Sequence, residues 1–277
     1  MSELSLLILC GRSPRHLYVA NALCRAGRAL AIVQETGGEW NLQKTLRKLR
    51  PDNLSRKVWR WLRDRRRYTG RGEAKFFFGA EPPRLDHPEL VREVPHINHP
   101  DVLRMARELK PDLICVFGTS LIRGKLLKEG RLGMVNLHGG LSPEYRGADC
   151  TFWALYNGEP EKVGCTLHFI NEGIDTGNLI AHISPAISEG DTELPLFWRA
   201  VKDSATAYVE FIRRLAAGER FGVPQSEKGQ LYQVKQRGLK QEQELDRRLR
   251  DGLLTQVSVP PRVVWFGRSA PMAKELM

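Results

Sequence analysis

The chain has 277 residues, 42% of them hydrophobic, enough to bury a substantial core in one large domain or one domain with a small appendage. Its net charge is +11, yet thirteen Lys or Arg against three acids between Gln43 and Lys75 account for ten of those charges, so the rest of the chain is close to neutral. This argues against a surface built throughout for nucleic acid, and no apolar run approaches the roughly 18 to 20 residues that a membrane span needs.

The first apolar run, Leu6 to Cys10, ends at Gly11 and reads as a strand, since no basic residue precedes it as in a secretory leader. Helical spacing follows from about Pro14 to Arg25, then a second strand from Ala29 to Val33. Further on, a helix is expected at about Asp101 to Leu109, a strand at Asp112 to Phe117, a helix at Gly124 to Glu129 and a strand at Met134 to Leu137. Such alternation predicts an α/β fold, a doubly wound, mainly parallel sheet whose ligands bind beyond the carboxyl ends of the strands. Val163 to Asn171 and Leu179 to Ile187 read as a strand pair around a turn, Leu194 to Leu215 as a long amphipathic helix, and Lys240 to Arg250 as a charged helix.

Chemistry gathers near the end of the Met134 strand. The segment Asn136 to Gly147, NLHGGLSPEYRG, sets an amide and an imidazole two residues apart, so that both can face one side of the sheet. The GIDTG turn at Gly173 to Gly177 carries Asp175; folded over the strand ends, it would bring a carboxylate to the same pocket. Tyr145 and Arg146 are candidate substrate contacts, Arg146 being suited to an anionic group. His168 sits mid-strand and reads as a structural histidine. The five cysteines (Cys10, Cys24, Cys115, Cys150 and Cys165) are scattered through apolar runs, as reduced thiols in the cytoplasm would be. No CxxC or HxxxH spacing occurs, so no metal site is expected, and the turn after the first strand lacks a dinucleotide fingerprint.

Taken together, NLHGGLSPEYRG and WALYNGEPEKVGCTLHFINEGIDTGNLI resemble the core of the folate-dependent formyltransferases, strongly over about residues 112–187 and in general layout before that. The resemblance implies a Rossmann-like catalytic domain over residues 1–217, with a basic insertion at about 41–75 and a C-terminal extension over 218–277. It implies Asn136, His138 and Asp175 as catalytic residues and 10-formyltetrahydrofolate as formyl donor. It also implies that Gly118, Thr119, Ser120, Leu121 and Ile122 bind the donor, mainly through backbone groups.

Within that family the tail after Ala217 is short for the carboxyl-terminal barrel of a methionyl-tRNA enzyme, and a purine-pathway enzyme would lack the basic insertion. The expected partner is therefore a small amine acceptor, a nucleotide-linked amino sugar that can carry phosphate, with nucleic acid disfavoured and a homo-oligomer left open. The alternatives are transfer to another amine, on an amino acid or a tRNA, and a non-catalytic relative that binds anionic partners through the basic segment.

Overall fold

Ser5–Cys10 carries no charged residue and every side chain in it is buried; it forms β1, an inner strand of an eight-stranded sheet. The structure, a computed structural model, describes residues 3–37, 58, 62 and 72–268, so most of the basic segment lies outside the described residues. Side chains alternate across a strand, and the two faces of β1 feed separate cores. Leu6, Ile8 and Cys10 pack under α1 (Pro14–Cys24), while Leu7 and Leu9 pack with Val102 and Ala106 of a helix on the opposite face.

β2 (Arg28–Glu35) and β3 (Val91–Val94) extend the sheet in parallel on one side of β1. Between them α2 (Gly72–Phe78) packs against α1. α3 (Pro100–Leu109) then returns the chain across the sheet, and β4 (Leu113–Phe117) and β5 (Met134–His138) are laid down in parallel on the other side of β1. The chain thus reverses its direction of growth between β1 and β4, and a crevice opens beyond their carboxyl ends at such a switch point. Residues Gly124–Lys128, expected as a helix, form a short 3-10 turn.

Beyond β5 the sheet becomes antiparallel. The short β6 (Tyr145–Gly147) and α4 (Cys150–Tyr156) intervene, then β7 (Cys165–Phe169) and β8 (Leu179–Ser184) form the expected strand pair. The long helix α5 (Glu193–Ala216) covers the same face as α1, with Tyr208 and Phe211 fully buried and the Tyr208 hydroxyl donating to the Val135 carbonyl at 2.7 Å. Among the described residues no helix is long and apolar enough to cross a membrane.

Residues beyond 217 are woven into this framework. After the two-residue β9 (Arg220–Phe221), β10 (Gln230–Tyr232) pairs with β6, and α6 (Leu239–Arg250) packs on α4. β11 (Arg262–Trp265) then joins β8 as an outer strand of the main sheet, and β12 (Gly267–Arg268) pairs with β9. Arg237 is the pin. Its side chain is 1% exposed, donates to Asp149 (2.8 Å), Glu193 (2.8 and 2.9 Å) and Glu242 (2.7 Å), and lies over the Phe152 ring.

Candidate active site

β5 ends in Asn136 and His138, on the same side of the strand, while Leu137 between them packs into the core against the sheet's other face with Leu167. Antiparallel pairing with β7 sets Asn136 opposite His168 and His138 opposite Thr166, and directly paired residues face the same way. His168, read from the sequence as structural, therefore joins the group: its Nε2 lies 3.2 Å from the Asn136 amide nitrogen. Asp175, in the left-handed region at φ 51°, returns over the strand ends. One carboxylate oxygen stands 3.4 Å from Nδ1 of His138 and the other 3.5 Å from Nε2 of His168, and the Gly147 N–H donates to the former at 2.9 Å.

Carbonyl partners fix the two imidazoles. Nε2–H of His138 donates to the Tyr145 carbonyl at 3.0 Å, so the neutral ring turns the lone pair of Nδ1 toward Asp175. Nδ1–H of His168 donates to the Phe169 carbonyl at 2.8 Å, leaving Nε2 to accept from Asn136. Burial favours the neutral form of Asp175, but the attraction of His138, the contacts of His168 and the Gly147 N–H outweigh it and hold the carboxyl at about 2. Burial likewise pulls His138 below the ordinary imidazole range, against the opposing pull of Asp175. At neutral pH the cluster holds one carboxylate and a His138 ring ready to take a proton, and an incoming proton at Nδ1 of His138 meets an Asp175 oxygen.

All four residues line a cavity of about 700 Å³. Its second wall is the loop Gly118–Ile122 after β4, whose five residues all line it. Glu35, at the end of β2, clamps this loop by accepting from the Ser120 N–H (2.8 Å) and hydroxyl (2.7 Å). Asn98 donates to the Leu121 carbonyl (2.9 Å) and accepts from the Arg123 N–H (2.8 Å). With Ser120 N and Leu121 O so engaged, backbone contacts to a ligand fall to the loop's other peptide groups. Leu121 and Ile174, each 39% exposed, face this space with Ile122 and Ile170, an apolar cleft suited to a flat ring system.

His16, which the sequence reading passed over, closes the floor at the switch point. Its ring packs edge-on to Phe117 with centroids 4.9 Å apart, and a Cβ at Gly11 or Gly118 would collide with it. Its Nδ1 accepts from the Ser13 N–H, and burial, with Arg15 beside it, lowers its pKa to about 3. Nothing in the sequence marks this residue, because the space it fills depends on glycines ending two separate strands.

Tyr145 and Arg146 do not line the cavity. The Tyr145 hydroxyl donates to Glu159 and its ring stacks on Tyr232, while Arg146 donates to the carbonyls of Gly229 (2.7 Å) and Ile174 (3.3 Å). Both side chains hold the cavity wall from behind, a different task from the substrate contact expected of them. Cys150 lies 3.6 Å from Nε2 of His138, its thiol pushed well up by burial. All five cysteines are free, and among the described residues no group of three His, Cys, Asp or Glu is placed to hold a metal.

Comparison with known proteins accords with this geometry. The formyl transferase family model matches residues 30–212. A methionyl-tRNA formyltransferase of Chlorobium chlorochromatii is 35% identical over 137 residues, covering 50% of this chain and 43% of that protein. A GDP-perosamine N-formyltransferase of Brucella melitensis is 36% identical over 110 residues, 39% of this chain and 42% of that protein. The matches thus span less than half the length of these curated relatives. Among solved structures, phosphoribosylglycinamide formyltransferase of Anaplasma phagocytophilum superposes with a TM-score of 0.53 at 17% identity, over 83% of this chain and 98% of that one. A sugar N-formyltransferase of a Shewanella species gives the same score at 16% identity, over 87% and 86%, likenesses that speak for the fold. With two thirds of its length matched by one family and the fold shared, the chain belongs to the formyl transferase family.

Proposed function

We propose that this chain transfers the formyl group of 10-formyltetrahydrofolate to a primary amine of a small acceptor, a nucleotide-linked amino sugar. The carrying observation is the convergence of Asn136, His138 and Asp175 beside an apolar cleft edged by Gly118–Ile122. The cleft fits the proposed donor: Leu121, Ile122, Ile170 and Ile174 offer apolar walls for a pterin, and the clamped loop offers peptide groups to its polar edge. When bound, the donor supplies an activated formyl group.

The chain's residues then have three tasks. The Asn136 amide, oriented by His168, keeps an N–H for the formyl oxygen as negative charge develops there, a donor that needs no protonation. His138 takes the proton released by the attacking amine, directly or through one water, and Asp175 stabilises the imidazolium that results. Proton return to the departing nitrogen uses the same pair. His168 serves the same group by position, its Nε2 holding the Asn136 amide in place. The likeness to GDP-perosamine N-formyltransferase supports a sugar acceptor.

The test offers the chain 10-formyltetrahydrofolate with GDP-perosamine, phosphoribosylglycinamide or methionyl-tRNA and follows mass gain by one formyl group. Formylation of the amino sugar in preference to the other two is expected. Folate binding with no formylation of any of the three would overturn the proposal.

A further inference from the structure

We infer that Leu231, Gln233 and Val234, at and after the end of β10, form the acceptor subsite of the cavity, and that they receive an uncharged, partly apolar ring. The inference rests on the formyl-transfer reading above. The donor loop and the Asn136, His138 and Asp175 cluster all lie within the residues matched by the family, whereas residues 231–234 line the same cavity from beyond them. A donor common to the family calls for shared walls; a wall outside the matched region meets the part of the chemistry that differs between relatives.

This wall is built in place. The Ala148 N–H donates to the Tyr232 carbonyl at 2.9 Å, and the Arg146 guanidinium to the Gly229 carbonyl at 2.7 Å. The Tyr232 ring lies between those of Tyr145 and Trp153, nearly parallel to both, with its hydroxyl accepting from Asn157 at 2.9 Å. Gly147 and Gly229 allow the approach, since a Cβ at either would strike the facing backbone. Three residues further on, Arg237 anchors the segment to Asp149 and Glu193.

The chemistry of the surface follows from its residues. Val234 is 42% exposed, a large apolar side chain presented at the cavity, with Leu231 beside it and Phe197 also lining the space. Gln233 adds one amide. Arg15 is the one cation lining the cavity among the described residues, and Glu73 already accepts from it at 2.8 Å. Among the described residues, a phosphate or carboxylate drawn against this wall would lose water without gaining a free positive partner, whereas a sugar ring with an apolar edge loses little and buries Val234 and Leu231.

Isothermal calorimetry of the full chain decides the matter, with GDP-perosamine titrated into protein saturated with 5-formyltetrahydrofolate. Val234→Asn should weaken the sugar nucleotide about tenfold, as loss of two buried methyl groups does, while folate affinity stays within about twofold; Val234→Leu should retain sugar binding. Unchanged sugar affinity in Val234→Asn overturns the inference, as does loss of folate affinity in its place. Val234→Lys should also weaken the sugar, and tighter binding would overturn the claim of an uncharged ring by revealing a phosphate there. A wild-type chain that binds folate but not GDP-perosamine overturns the sugar acceptor itself, a failure seen before any variant is made.

Discussion

Asp175 touches both imidazoles and the Gly147 N–H, so its charge and its shape can be separated. Asp175→Asn keeps an oxygen for the Gly147 bond and removes the charge that stabilises a protonated His138. Formyl transfer should fall about a hundredfold or more, the usual scale for acid–base groups, with 5-formyltetrahydrofolate affinity little changed; near-normal turnover would remove Asp175 from the chemistry. His138→Ala should lose as much. His16 makes a different prediction. Its pKa is about 3 when folded against about 6.5 when unfolded, so as pH falls the unfolded chain takes the proton first. The stability linked to His16 is whole above about 6.5 and is lost as pH falls toward 3. Asp175, depressed to about 2, acts in a lower window, below about 3.8. His16→Gln, which cannot titrate, should therefore lose less melting temperature between pH 7 and pH 4 than the wild type loses, as scanning calorimetry across that range can show. The motif residues Asn136, His138 and Asp175 could be read from the chain because short loops and strand ends keep them in recognisable runs. His168 could have been found from the same period-two logic applied across the strand pair, since its place opposite Asn136 sets its direction.

At the level of elements, the Gly118–Ile122 loop depends on its clamp. Glu35 accepts from Ser120 twice and from the Ile97 N–H at 3.1 Å, and hydrogen bonds to a charged group contribute about 1.5 to 3 kcal/mol each. Glu35→Ala should raise the KM for the folate donor about tenfold and leave kcat nearly unchanged, a split that steady-state kinetics reads directly; unchanged KM would show that the loop holds its form unaided. Gly147→Ala would place a methyl against the Tyr232 carbonyl at a φ of 89°, strain of order 1 to 3 kcal/mol. A lower urea midpoint is the expected result. The long apolar strands β1, β4 and β5 and the helices α1, α3 and α5 were legible in sequence because burial on one or both faces leaves a periodic record. β3, with Arg92 and Glu93 at its centre, and the three-residue β6 and β10 were not, since they become strands only beside partners far away in the chain. For the same reason the sequence pointed Arg146 toward a ligand, when its true partners are backbone carbonyls at Ile174 and Gly229.

For the whole molecule, the tail beyond 217 is part of the core. Leu245 and Leu254 are buried with Phe152 and Trp153, and each such leucine is worth about 1.5 to 3 kcal/mol of burial. Losing them together with β11 and the Arg237 anchor removes an amount comparable to the whole stability of an ordinary domain, about 5 to 15 kcal/mol. A chain ended at Ala217 should give no cooperative melting transition; a sharp one would show that the tail is dispensable. The sequence reading set this tail apart as an extension on the strength of the family resemblance, and its attachment rests on single residues such as Arg237 that no periodicity reveals. The Arg237 pin also has a consequence for synthesis. The cavity's walls leave the ribosome in a fixed order, from His16 through Gly118–Ile122 and the Asn136 to Asp175 cluster to residues 231–234, and the arginine that fastens the last wall emerges after it. Because the framework needs residues beyond 217 in order to fold cooperatively, the walls cannot close one by one as they emerge, and the cavity forms as a unit only once Arg237 has left the ribosome and docked.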